Sequence, residues 1–354
     1  MSVYTWLQKG IEMARNRVWR APEGQELGSL GYLSTYLAYM ERRQPGGLRD
    51  LRQGRRLYIG SDYGQSFTGR KYKTYSFVIT ADSLAPEWKR RRSMVRDELL
   101  RGSGEMGYKN LKDGIKFRAL IPFLEAANAL PGLSVTVAIA KDVRYLSPGR
   151  IADAYGPDAD NPWKGDENAF ERAQRIVHVA GLLLGGLAGP GQHVDWVTDK
   201  DDIACSPQRI EHLKRMVNST CALYLPPSMG QLDIRTNDPD PDMFLSDFLA
   251  IPDLIAGCLS EVLNHCYEQV RTAGQEPEYF SPREAPKKAR QILDWYRKGL
   301  HPLRRAFLVV DPSGDPADPY EFGCPDFADP RPLGHLWSGR ELMRRHAKEM
   351  PPCS

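Results

Sequence analysis

The chain has little from which a thiol or imidazole metal centre could be built. Its six cysteines (Cys205, Cys221, Cys258, Cys266, Cys324, Cys353) show no paired Cys-x-x-Cys spacing, and its seven histidines form no two-histidine helical motif, so no structural zinc site follows. Long apolar runs are missing as well. The nearest is 176–188, too short for a bilayer and interrupted by His178 and several glycines, which predicts a buried helix. Residues 1–20 intersperse Trp6 with Arg15, Arg17 and Arg20 and do not read as a signal peptide. A soluble, cytoplasmic protein with reduced thiols is therefore expected. There is no internal repeat and no sustained low-complexity tract.

Three common nucleotide or nucleophile motifs are also excluded. Gly102-Ser103-Gly104-Glu105-Met106-Gly107 fits Gly-x-Gly-x-x-Gly, but it follows a charged helical stretch rather than a strand. The glycines between Gly185 and Gly191 lack the Gly-Lys-Ser/Thr of a phosphate loop, and no Gly-x-Ser-x-Gly elbow surrounds Ser61.

What is present suffices for a large core. A 41% hydrophobic content with seven Trp and sixteen Tyr needs no disulfide support, and 354 residues allow one elaborated domain or two. The net charge is only +3, but it is unevenly placed: residues 1–120 carry 23 Lys/Arg against 12 Asp/Glu, a balance of +11, and the remainder carries −8. Such asymmetry suits a polyanion lying along one half while acids of the other half hold a cation; uneven surface charge is the plain alternative.

Punctuation by Pro and Gly divides the chain. Helices are expected at about 2–16 and 28–43, as an N-terminal extension covering 1–54. A β-hairpin is expected from 57–61 and 72–81, and helices at 86–101 and 113–130, the second kinked at Pro122. The alternating run Leu133–Ala140 predicts a strand, and 146–165 an excursion. A helix at 167–187, a strand at 194–198 and a helix from Ser206-Pro207 to about Asn218 follow. A short strand at 221–225 then leads to a Pro/Asp-rich loop at 226–242. Beyond it lie a long helix at 245–270, a helix at about 285–299 and a strand at 306–310. Residues 311–333, with six prolines, are expected to be irregular. This order predicts an α/β fold, a mixed sheet flanked by helices, with its core at 55–270 and an extension at 271–354.

The clearest chemical signal is a set of acids at the ends of apolar segments. Asp62 closes Leu57–Ser61, Asp199 to Asp202 follow Val194–Thr198, and Asp247 and Asp253 lie at the start of the long helix. Carboxylates so placed can converge on one point of an α/β sheet, where their repulsion calls for a divalent cation such as Mg²⁺ or Mn²⁺. Each has a plainer role: an Asx turn for Asp62, a cap or turn for Asp199, a first-turn dipole partner for Asp253, a cap for Asp247. Asp253, Gly257 and Glu261 fall four apart on one helix face, and Gly257 would let that helix approach the sheet or a phosphate closely.

Tyr58-Ile59-Gly60-Ser61-Asp62-Tyr63-Gly64, Tyr75–Ile79, Tyr108-Lys109-Asn110-Leu111-Lys112-Asp113 and Leu249-Ala250-Ile251-Pro252-Asp253-Leu254-Ile255-Ala256-Gly257 resemble a large bacterial family of uncharacterised RNase H-like proteins. That family has an Asp-Glu-Ser-Gly-like first strand and an Ala-Asp-Leu-Ile-Ala-Gly-like closing helix. The resemblance spans about 55–265 and implies an RNase H-like sheet, a metal-dependent nuclease site and a bacterial defence setting. Two departures stand out: Ser61-Asp62 where the family has adjacent acids, and Pro252 where it often has Ala.

The resemblance places Asp62 and Asp253 as catalytic acids and ligands of Mg²⁺ or Mn²⁺ and expects a middle acid after the strand ending at Thr198, for which Asp199 is nearest, with Asp201 or Asp202 as alternatives; Asp247 is a cap or a further ligand, and Lys200 or Lys141 could assist at the phosphate. For DNA or RNA, Lys89, Arg92 and Arg96 share one helical face, and Lys109 and Lys112 extend the basic half; a solvated helix face is the alternative. Two other functions stay open: an inactive nucleic-acid or protein-binding module, favoured by the missing second acid at Ser61, and a phosphohydrolase acting on small phosphate esters. A protein partner from the same system is a further expectation.

Overall fold

The computed structural model describes residues 19, 33–34, 36–38, 41, 50–64, 70–143, 162–163, 166–224, 230–236, 243–273, 285–298, 301–315, 318–323 and 336–338. Among them, residues 33–34, 36–38 and 41 are helical, and Leu33, Tyr36 and Leu37 are buried. The expected helix at 2–16, the rest of 28–43 and most of 146–165 lie outside the described residues. No described helix is long and apolar enough to cross a membrane.

Among the described residues, eight strands form one mixed sheet. In chain order they are β1 (Arg56–Tyr63), β2 (Tyr72–Ala81), β3 (Gly132–Ala140), β4 (His193–Thr198), β5 (Leu232–Thr236), β6 (Leu303–Asp315), β7 (Asp318–Gly323) and β8 (Leu336–Ser338). Their order across the sheet is β5-β4-β1-β2-β3-β6-β7-β8. β1 pairs antiparallel with β2 and parallel with β4, β2 pairs antiparallel with β3, and β4 pairs parallel with β5. Within the first five strands, β2 alone therefore runs against the rest. β3 is buried at every position, as expected of a strand covered on both faces.

Among the described residues, these helices flank the sheet: α1 (Pro86–Leu99), α2 (Gly114–Ala127), α3 (Glu167–Leu187), α4 (Pro207–Tyr224), α5 (Phe244–Ala273) and α6 (Lys287–Arg297). Local chemistry fixes their starts. Pro86 occupies the first turn of α1; Asp113 caps α2 by accepting from Ile115 N–H at 2.7 Å; Asp166 caps α3 by accepting from Ala169 N–H at 3.2 Å. α5 lies on the face of β1 that carries Tyr58, Gly60 and Asp62, for a Cβ on Gly60 would meet the Phe248 ring at 3.0 Å. The alternate residues of β1 face the other way, where Arg172 of α3 stacks on Tyr63 at 5.2 Å.

Several expected elements change. Residues 221–224 are the last turn of α4 and not a strand, because Leu213, Val217 and Cys221 continue one buried stripe. The fifth strand lies instead at 232–236, inside the expected loop; it is an edge strand with only Ile234 buried, which hides it among polar residues. The expected irregularity after 310 gives way to the end of β6 and to β7 and β8. β6 extends the same sheet, pairing with β3 from Gly132↔Leu303 to Ile139↔Val310. Pro252 stands inside α5 rather than in its first turn.

Candidate acidic site at the end of the central strand

Period two decides which residue of Ser61-Asp62 can join a site under α5. Ser61 points to the α3 face, where its hydroxyl meets the Tyr63 hydroxyl at 2.7 Å and accepts from Trp196 Nε1 at 2.7 Å. Asp62 points to α5 between two tight approaches: Gly60 against Phe248, and Gly64, where a Cβ would sit 3.3 Å from Ser260. Thr74, on the neighbouring strand, donates to the Ala256 carbonyl at 3.1 Å and ties β2 to the same stretch of α5.

Asp62 is 7% exposed, and among the described residues nothing donates a hydrogen bond to its carboxylate. Its pKa is raised well above the usual carboxylate range, first by burial and then by the charges of Asp253, Asp199 and Asp201, with Arg172 opposing. Asp253 projects from α5 and accepts from Tyr108 N–H at 2.9 Å. Burial pushes its carboxyl up to about 6; the Tyr108 amide opposes this, Asp199 adds to it, and Lys109 and Lys288 offset part of it. Asp199 follows β4 at the level of Asp62, is exposed, and accepts from Lys200 N–H at 2.8 Å. Asp62 on β1 thus feels the charges of Asp253 on α5 and Asp199 in the β4 loop, and Asp253 feels that of Asp199.

The loop before α2 is part of the same construction. A Cβ at Gly107 would lie 2.7 Å from Asp253 Oδ2, and one at Gly257 would lie 2.3 Å from the Tyr108 ring, so both glycines are needed for the loop to lie on α5. The Tyr108 hydroxyl donates to Glu261, Lys288 sits 3.8 Å over the Tyr108 ring, and Lys288 Nζ is 3.6 Å from Glu261. The fourfold spacing of Asp253, Gly257 and Glu261 signals this face in the sequence. The contribution of Lys288, from another helix, has no such signal.

Elsewhere the acids are neutralised. Asp247 is fully buried in the first turn of α5, with Arg92 Nη1 at 3.2 Å and Arg96 Nε at 2.9 Å. It is enclosed by guanidinium groups, where a cation would be repelled, and this corrects its expected role as a ligand. Arg92 and Arg96 are likewise not an open cationic stripe: both face Asp247, and Arg96 also donates to the carbonyls of Ser103 and Gly104 at 3.1 Å. Lys89 pairs with Asp82 at 2.8 Å and lies 5.0 Å over the Phe244 ring. Lys109 and Lys112 are exposed on the short turn before α2. Asp201 pairs with Arg172 at 2.7 Å, yet burial pushes its carboxyl up to about 6. Asp195, at the far end of β4, pairs with Arg56 at 2.9 Å.

Among the described residues, no group of three or more His, Cys, Asp or Glu side chains is arranged as a ready metal cage. No protein-family model matches the chain, and no curated protein matches it.

Proposed function

We propose that the chain is a metal-dependent nuclease with an RNase H-like core, cleaving phosphodiester bonds of DNA or RNA. The observation that carries this reading is the Asp62 carboxylate, buried without a donor among the described residues and facing the charge of Asp253 and Asp199. The sheet order β3-β2-β1-β4-β5, with β2 alone reversed and helices after β3, β4 and β5, supports the fold assignment.

The donor set fits a hard cation in its chemistry: carboxylate oxygens, two of them partly or wholly buried, none paired with a guanidinium at Asp62 or Asp253. Asp62 and Asp253 would hold Mg²⁺ or Mn²⁺, with Asp199 entering from the β4 loop. When bound, such an ion lowers the pKa of water and polarises a phosphoryl oxygen. The protein's own part is to keep the carboxylates apart from competing cations. The Tyr108 amide orients Asp253, and Lys109 and Lys288 temper the local negative charge.

The test is cleavage of single-stranded and duplex DNA and RNA with Mg²⁺, Mn²⁺ or EDTA. Metal-dependent cleavage of at least one substrate, lost in Asp253→Asn and in Asp62→Asn with binding retained, is the expected result; cleavage that survives both substitutions refutes the assignment. Ser61, which stands where a second acid would be expected beside Asp62, favours a second reading, an inactive RNase H-like module that binds nucleic acid or a protein partner. Binding without cleavage under every metal condition would establish that one.

A further inference from the structure

Two lysine pairs, far apart in the chain, come together beside the residue that holds Asp253. Lys109 and Lys112 bound the short turn before α2, where a spacing of three residues per turn sets them on one side, and Lys287 and Lys288 open α6. Lys288 Nζ lies 3.8 Å from the centre of the Tyr108 ring, and the Tyr108 N–H donates to Asp253 at 2.9 Å. Lys287 Nζ lies 5.4 Å from the centre of the Phe117 ring in the first turn of α2. Phe117 N–H donates to the carbonyl of Asp113 at 2.9 Å, and Asp113 N–H donates to that of Asn110 at 3.0 Å. The turn, α2 and the start of α6 therefore form one continuous support next to the acidic site.

The acids nearby do not neutralise these lysines. Lys109, Lys112 and Lys287 are exposed, and among the described residues no carboxylate forms an ion pair with them. Lys288 has Glu261 at 3.6 Å, but Glu261 already accepts from the Tyr108 hydroxyl. Asp113, next to Lys112, turns its carboxylate to the Ile115 N–H as the cap of α2. The first turn of α6 contains no acid, and the helix dipole there disfavours positive charge, so local folding gains nothing from Lys287 and Lys288. Cations that break a local rule while resting on aromatic rings suit a binding surface, because the rings restrain the ammonium groups before a ligand arrives.

We propose that Lys287 and Lys288 of α6 join Lys109 and Lys112 in a basic rim that binds the phosphodiester backbone of a nucleic-acid strand next to Asp253. The inference rests on the nuclease reading for its ligand class. The rim takes the place of the α1 face, where Arg92 and Arg96 are committed to Asp247. It also gives α6, which lies beyond the expected core, a part in holding substrate.

The experiment is fluorescence anisotropy of a labelled oligonucleotide, single-stranded and duplex, with the full chain in EDTA over a salt series. Lys287→Gln with Lys288→Gln is expected to weaken binding across sequences and to reduce the slope of log affinity against log salt by about 1 per lysine, as is Lys109→Gln with Lys112→Gln. Lys298→Gln, which removes an exposed charge at the other end of α6, is expected to leave the slope unchanged. Lys287→Gln alone, at an exposed position outside the Tyr108 contact, decides the matter if the α6 double variant fails to fold. An unchanged slope in the α6 variants overturns the rim and leaves the nuclease reading standing. So does an equal reduction in Lys287→Gln and Lys298→Gln, which would mean that only overall charge counts. A wild type that binds no oligonucleotide overturns both. Binding that depends on the α6 lysines, without cleavage under any metal condition, supports the rim and sinks the nuclease reading alone.

Discussion

Two aspartates on one helix, Asp247 and Asp253, are both drawn out of water and meet different fates. Asp247 is wholly buried between Arg92 and Arg96, and its charge is consumed in joining α1 to α5. Asp253 receives one backbone N–H, feels other carboxylates, and is pushed up to about 6. Full ionic compensation makes a carboxylate a structural part, whereas partial compensation leaves its charge for a ligand. A shared helix and a shared residue type therefore say little about role; the neighbouring cations say more.

The comparison breaks most visibly at Asp247. Asp247→Asn leaves two buried guanidinium groups without a counter-charge and is expected to cost about 3–5 kcal/mol in urea unfolding. A loss below about 1 kcal/mol would show that the arginines reach water and that the contrast with Asp253 is false. Next in size is Gly257→Ala, which drives a methyl into the Tyr108 ring and is expected to cost about 1–3 kcal/mol. The same substitution should loosen the loop that orients Asp253, seen as faster amide exchange at Tyr108.

Asp253→Asn has the opposite sign. In EDTA at neutral pH it removes a repelled charge while the amide oxygen still accepts from Tyr108, so stability is expected to rise by about 1–2 kcal/mol. The pH dependence follows from the same shift. The folded state keeps a proton on Asp253 up to about pH 6, where the unfolded chain has lost it near its ordinary value of 3.8. That stability is present in full below about pH 4 and is lost as pH rises through about 6. Relative to Asp62→Asn with Asp253→Asn, the urea midpoint of the wild type should thus fall from pH 4 to 7, while Asp201, raised to about 6, and His178, lowered to about 4, contribute opposing slopes common to both proteins. Millimolar Mg²⁺ should raise the melting temperature of the wild type and leave this double variant unchanged.

The smallest effect sharpens the view of α1. Lys89 shares a face with Arg92 and Arg96, but its ion pair with Asp82 is 44% and 45% exposed. Lys89→Ala is expected to change stability by less than about 1 kcal/mol, against the several expected at Asp247. A large loss at Lys89 would mean that the whole α1 face acts as one unit.

How far the sequence reveals this molecule depends on the range of the signal. α3 is readable to its ends, because the Asp166 cap and the apolar periodicity are local; β1 to β4 are readable from alternation and β-branched residues. β5 is not, since a five-residue polar edge strand has no period strong enough to stand out between Pro- and Asp-rich flanks. The placement of Asp62, Asp199 and Asp253 is readable from their positions at strand ends and on the helix. Their separation from Asp247 is not, because helical spacing puts Arg92 and Arg96 on one face without saying what covers it.

The position of β1 in the sheet also sets a timetable for the newborn chain. β2 follows β1 closely, but the parallel partner on its other edge is β4, and the Arg56–Asp195 pair that joins the two strands spans 139 residues. At ordinary synthesis rates that interval is roughly 10–30 seconds, during which one edge of an apolar strand has no native neighbour. The same delay keeps Asp62, Asp199 and Asp253 apart until the sheet and α5 have assembled. The ribosome-bound intermediate is therefore freer of charge repulsion than the finished protein, and more exposed to unwanted strand pairing, for which a chaperone bound at that edge would be the natural protection.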